Sequence, residues 1–236
     1  MTDDANELQI AVLLDWQNVY NGAREAFDLH ALGHIAGNVD PWQLAGWLAR
    51  ASDATRQPRV LSRVRVYRGM PDQARDERTY RAFRAQTAAW ERAGGGRLQV
   101  CSKLLRYPPQ SARGERPTEK GIDVWLAVDL VGHALRRDVD RVVVFSTDTD
   151  LVPALEMAVA ERGAEFVEVA AWVGSGSSAA MLRVPGHRIV QRALKLKHYE
   201  RLHDPSNYNL PKGHRGISDR AWDAQIAQEG RVPRRK

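Results

Sequence analysis

Two stretches, residues 8–14 (LQIAVLL) and 141–145 (RVVVF), are apolar almost without interruption, and each runs directly into acid. Asp15 follows the first, and Ser146-Thr147-Asp148-Thr149-Asp150 follows the second. A strand with no polar face needs cover on both sides, which places it inside a parallel sheet with helices above and below. Ligands of open α/β sheets bind at the carboxyl ends of such strands. A carboxylate beside a low-dielectric core is costly unless something binds it or shifts its pKa, so acids at both of these ends require a reason.

The rest of the chain alternates strand and helix patterns, as a parallel α/β sheet requires. Residues 41–51 carry apolar side chains at helical spacing behind Asp40 as N-cap and Pro41 as first helical residue. Residues 60–67 alternate as a strand. Residues 74–93 form a long helix with Tyr80, Phe83 and Trp90 on its apolar side, ended by Gly94-Gly95-Gly96. Strand 98–102 follows. Residues 105–118 hold three prolines and three arginines without periodicity and read as a loop. A helix at 122–137, the strand at 141–145, a helix at 151–162 and a strand at 166–172 come next. A short helix at 175–183 and an edge strand at 188–190 complete the pattern. The pattern is that of a parallel α/β sheet. Beyond Lys195 aliphatic residues are too few for a core, leaving Tyr and Leu side chains to pack on the body.

At 236 residues and 43% hydrophobic content the chain can bury a sizeable core. No apolar run approaches the roughly 20 residues of a membrane helix, and the acidic, polar start MTDDANELQ is unlike a signal peptide, so a cytoplasmic protein is expected. Cys101 is the only cysteine, which excludes an intramolecular disulfide and thiol-rich zinc sites. The net charge of +6 is uneven: from Arg183 onward there are 13 Lys/Arg against 5 Asp/Glu, and before it 22 against 24. Such a basic end reads either as a solubilising tail or as a contact for a polyanion, most commonly nucleic acid.

The acids come from separate elements: Asp15, Asp123 at the start of the helix behind Lys120-Gly121, and Asp148 with Asp150. If they converge within about 5 Å, each like-charge pair costs about 3 kcal/mol at an effective dielectric of 20, and a cation is the usual remedy. Carboxylate oxygens without cysteine or histidine favour Mg²⁺ or Mn²⁺ over zinc. Such an ion activates water and steadies charge on a phosphodiester. Bland readings stand beside this one. Asp150 reads equally as the N-cap of the next helix, and Asp123 as a helix-dipole partner. Asp15 and Asp148 are harder to explain as structural.

In order and spacing, DWQN (15–18), KGIDVWLAVDL (120–130) and FSTDTDLVPALEMAVAERG (145–163) resemble the three characteristic blocks of the NYN domain in its LabA-like branch, among the PIN-like nucleases of the FLAP superfamily. The resemblance implies, more narrowly than the strand and helix pattern, a three-layer, Rossmann-like α/β/α domain with a PIN-like sheet over residues 8–192, which leaves an extension at 193–236. It also implies an acidic pocket for Mg²⁺ or Mn²⁺, and hydrolysis of RNA phosphodiester bonds. By position it implies Asp15, Asp123 and Asp148 as catalytic metal-binding acids, Asp150 as a fourth ligand, and Asn18 as the polar residue that shapes the site. Ser146 corresponds to the family's serine before the acids. Thr147 stands where glycine is common, which bears on how closely backbone can approach. Asp129 falls about 240° around the helix from Asp123 and reads as a supporting residue. For RNA, Lys120 is placed to neutralise a phosphate. Arg68 and Lys103 should emerge at the sheet edge that carries the acids, and Arg113 and Arg116 lie in the loop ahead of Lys120.

A non-catalytic RNA- or protein-binding module on the same fold is the alternative. A dinucleotide enzyme lacks support because no G-x-G-x-x-G follows the first strand. An aspartyl phosphatase would want an acid at Gln17.

Overall fold

The computed structural model describes residues 7–50, 57–108, 117–174 and 181–209. Six strands, β1 (Leu8–Asp15), β2 (Arg59–Met70), β3 (Leu98–Leu104), β4 (Arg141–Phe145), β5 (Val167–Trp172) and β6 (Val190–Leu194), form one sheet in the order β3-β2-β1-β4-β5-β6. Every pairing is parallel. The two most apolar strands, β1 and β4, lie side by side at the centre, where both their faces are covered.

The period-2 alternation of side chains divides the core into two layers. Ile10, Val12 and Leu14 join Val64, Val66, Val143 and Phe145 on one face, against helices α1 (Trp16–Ala26), α2 (Pro41–Ala49) and α3 (Glu77–Gly94). Ala11, Leu13, Tyr67, Val142 and Val144 face the other way, against α4 (Ile122–Arg136) and α5 (Val152–Arg162). Burial of each Val or Leu contributes about 1.5–3 kcal/mol. The doubly covered strands therefore anchor a three-layer α/β/α arrangement.

Local chemistry explains several element ends. Asp40 accepts hydrogen bonds from the backbone N–H groups of Trp42 and Gln43, with Pro41 at the first helical position, as the sequence predicts. Gly121 precedes α4 with φ +72, a left-handed conformation that favours glycine. The predicted helix at 74–93 starts three residues later than expected, because Asp76 caps α3 through the N–H of Thr79. Helix α1 follows β1 with no intervening turn and was not expected from the sequence.

β6 runs across residue 192, where the sequence places the end of the domain, and leads into α6 (Leu196–Leu202). Tyr199 and Leu202 of this helix are buried in the α1–α2 layer, and the Tyr199 hydroxyl accepts the Gly37 N–H at 2.8 Å. These two anchors help to dock a segment poor in aliphatics. Away from the acidic edge, the fully buried Glu168 is satisfied by Arg59, Arg141 and Arg192, which ties β5 to β2, β4 and β6. The expected loop arginines Arg113 and Arg116, most of the expected helix at 175–183, and residues 210–236 lie outside the described residues. No helix among the described residues is long and apolar enough to cross a membrane.

Candidate active site at the carboxyl edge of the sheet

The acids meet where β1 and β4 end. Carboxylate oxygens of Asp123, Asp148 and Asp150 lie within 4.8 Å of one another, Asp123 and Asp148 half-buried and Asp150 exposed. Asp123 comes from the first turn of α4, and the other two from the 3-10 turn Thr149–Leu151 that opens α5. The donors are hard oxygens only, a set suited to Mg²⁺ or Mn²⁺ and unlike a zinc site. Three carboxylates converging without a cationic partner among them fit a divalent ion.

The capping roles differ from expectation. Asp150 does not cap α5, whose N-cap position is Leu151 without a side-chain bond; Asp148 caps the preceding 3-10 turn, its Oδ1 accepting the Asp150 N–H at 3.0 Å. Asp15, which the sequence leaves hard to explain as structural, likewise caps α1, its Oδ1 accepting the Asn18 N–H at 3.3 Å. β1 passes directly, and β4 by way of Ser146 and Thr147, into a helical turn through an aspartate whose side chain satisfies an orphan N–H.

Asp15 stands outside the close carboxylate trio and at the centre of a hydrogen-bond network. Its Oδ2 accepts from Asn18 Nδ2 at 2.6 Å and from the Ser146 hydroxyl at 2.9 Å. Ser146, 1% exposed, in turn accepts the Asp148 N–H at 3.1 Å. The N–H and hydroxyl of Thr147 both donate to Asn18 Oδ1, at 3.1 and 2.5 Å. Thr147, a departure from glycine in the sequence, therefore fixes which way the Asn18 amide points. Burial pushes the Asp15 carboxyl above its ordinary value; hydrogen bonds from Asn18 and Ser146 oppose this, and the charge of Asp148 adds to it. A carboxylate has about four lone-pair positions, so these three bonds leave Asp15 one open.

Glu119 is a further acid at this edge that sequence reasoning missed. It accepts the Gly69 N–H at 2.6 Å. Burial raises its pKa, the Gly69 bond lowers it, and the nearby charge of Asp15 raises it again. It lies in an aperiodic loop, where only its place beside Lys120 could have drawn notice.

The basic residues separate. Lys103 lies on the α4 side of the sheet, its Nζ donating to the Gly121 carbonyl at 3.2 Å and lying 6.0 Å from the Trp125 ring. Lys120 is exposed next to that carbonyl. Arg68 reaches the carboxyl edge as expected, but on the opposite face. It belongs to the same alternating set as Val64 and Val66, so its side chain turns toward α3 and away from the acids. Asp129 is held by Arg65 and by the Tyr67 hydroxyl, each at 2.6 Å, in a supporting position removed from the trio.

The described architecture accords with the family comparison. The family model of the NYN domain matches residues 9–189. A crystal structure of a protein of unknown function from Vibrio parahaemolyticus is similar at 20% identity and a TM-score of 0.44, covering 77% of this chain and 100% of that one. A search of curated proteins returns no match. With the model spanning all three acidic blocks, β2 to β5 in full and all of β1 but Leu8, the chain belongs to the NYN domain family, a family of nuclease type.

Proposed function

We propose that the protein is a ribonuclease of the LabA-like branch that hydrolyses RNA phosphodiester bonds with Mg²⁺ or Mn²⁺. The observation that carries this reading is the convergence of Asp123, Asp148 and Asp150 within 4.8 Å at the carboxyl edge, in a family of nuclease type. These three residues would hold the ion, with Asp15 offering its remaining lone pair from the adjacent network. When bound, the ion would polarise a phosphoryl oxygen and lower the pKa of water at the site. The chain's own groups supply position and charge. Ser146 and Asn18 fix the Asp15 carboxylate, and Asp148 is fixed through its own cap and its bond to Ser146. Lys103 and Lys120 flank the start of α4 and favour approach of a phosphate backbone. Arg113 and Arg116, in the loop ahead of them, would extend that basic approach.

Purified protein with Mn²⁺ and single-stranded RNA tests the reading. Cleavage by the wild type and its loss in Asp148→Asn is the expected outcome. Equal cleavage by both proteins would point to a contaminating nuclease and defeat the proposal.

A further inference from the structure

The carboxyl edge of the sheet has a second face, and the acids do not use it. On that face a cavity of about 390 Å³ opens between α1, α3 and residues 206–209. Its walls include the rings of Trp16, Tyr20 and Phe83, and the amides of Asn38 and Gln86. Arg68 also lines it, its guanidinium 4.7 Å from the Phe83 ring, 5.3 Å from Trp90 and 5.8 Å from Trp16. Gln86 Oε1 accepts from Nη1 at 2.6 Å, while Nε is buried without a partner. No carboxylate lines the cavity, and none pairs with Arg68 among the described residues. Burial lowers this guanidinium to about 10, against the opposing charge of Glu119. A cation withdrawn from water beside three rings, with no carboxylate in ion-pair contact among the described residues, is costly to maintain. Asn38 adds to this: it is 8% exposed, and its side-chain amide makes no hydrogen bond among the described residues.

We propose that this cavity receives an unstacked base of the single-stranded RNA whose backbone lies along the acidic edge. The proposal rests on the ribonuclease reading for the identity of the strand. Three features favour a base over other ligands. Flat rings offer stacking surfaces, and side-chain amides offer both donors and acceptors to a base edge, which is how single strands are generally recognised. The cavity is sized for a small planar group with part of its sugar. It is also next to the acids along the chain: Trp16 follows Asp15, and Arg68 follows Tyr67, which is the register partner of Asp15. Adjacent strands lie about 4.8 Å apart, so the cavity floor begins one residue beyond the acidic edge.

The test is equilibrium binding of a short fluorescent single-stranded RNA to the full chain in EDTA, compared with the same strand carrying abasic sites. Stacking of a base on aromatic side chains predicts a roughly five- to hundredfold preference for the base-bearing strand. Ala82→Trp, which fills the cavity from α3, and Asn38→Ala, which removes only the unpaired amide, should each reduce that preference. If Ala82→Trp melts early, Asn38→Ala stands as the test. Equal affinity of the wild type for both strands, or wild-type preference in variants that melt normally, overturns the proposal. So does competition by a nucleoside monophosphate that is sensitive to Ala82→Trp while strand binding is not, since that assigns the cavity to a free nucleotide. Because no cleavage is read, absence of Mn²⁺-dependent turnover with intact base preference defeats only the ribonuclease reading. Turnover that requires Asp148 without base preference defeats only this one.

Discussion

Neutralising one member of the acidic trio should stabilise the protein without metal and reverse the order with metal. Asp148→Asn is the informative change, because asparagine caps a helical turn about as well as aspartate and so keeps the bond to the Asp150 N–H. The removed charge faces Asp123 and Asp150 within 4.8 Å. At that distance a like-charge pair costs about 3.5 kcal/mol at an effective dielectric of 20 and about 0.9 kcal/mol in bulk water. Asp150 is exposed and the other two are half-buried, so solvent screening holds each pair near the lower figure. Relief of two pairs gives about 2 kcal/mol, which for a chain of this length raises the melting temperature by about 4–8 °C. Saturating Mn²⁺ at a hundred times its Kd adds about 2.7 kcal/mol to the wild type. The variant, short of one ligand, should gain far less and melt below it. Differential scanning fluorimetry in EDTA and across a Mn²⁺ titration reads both halves. A variant less stable than wild type in EDTA, together with equal Mn²⁺ shifts in the two proteins, would refute both the repulsion and the ion's place among these acids.

Two further outcomes test the fold around the site. Tyr199→Phe leaves the buried Gly37 N–H without its acceptor and should cost about 1–3 kcal/mol in urea unfolding; an unchanged midpoint would mean that this hydrogen bond adds nothing to the docking of α6. Asp138 bonds His133 Nδ1 at 2.7 Å and Arg63 Nη1 at 3.1 Å, and although burial pushes its pKa up, these partners prevail and bring it to about 2. A carboxylate with a depressed folded pKa stabilises above the ordinary carboxylate range and loses that contribution as pH falls toward about 2. Asp138 is exposed and its pairs are screened by solvent, so Asp138→Asn should cost about 1 kcal/mol at neutral pH, with the gap to wild type closing in acid. A gap that persists undiminished at pH about 2 would show that the variant acts through packing.

Strand period carried most of the fold into view. The continuous runs ending at Asp15 and Phe145 identify the central strands, because only a doubly covered strand can dispense with a polar face. The same period, applied one step further, would have placed Arg68 on the face opposite the acids; position along the edge was legible, but facing depends on register relative to Val64 and Val66. Helix α1 was hidden because Asn18, Asn21 and Gly22 weaken its propensity and because Asp15 serves both as the last strand residue and as the cap, leaving no turn to mark the start. Tyr199 and Leu202 are the only buried side chains of α6 among the described residues, aided by Leu196 and by His198 against Trp47, too sparse an apolar pattern for periodicity to register.

Cap and ligand stand in the sequence as rival explanations of the acids, but the two roles are compatible in one aspartate. A capping carboxylate commits one oxygen to a backbone N–H. That bond fixes its rotamer and leaves the other oxygen directed by the helix start. Asp148 commits Oδ1 to the Asp150 N–H, while Oδ2 makes no hydrogen bond among the described residues. The cap holds the Asp148 carboxylate past the carboxyl end of β4, with an oxygen within 4.8 Å of one from Asp123 at the start of α4. Asp15 is more heavily committed, with three bonds, and its pKa is raised by burial and by Asp148. It is accordingly suited to holding Asn18 and Ser146 in register, with a single position left for a cation. Helix capping thus gives two acids at the ends of buried strands, costly in isolation, a structural partner and a fixed direction, which the proposed metal site would use.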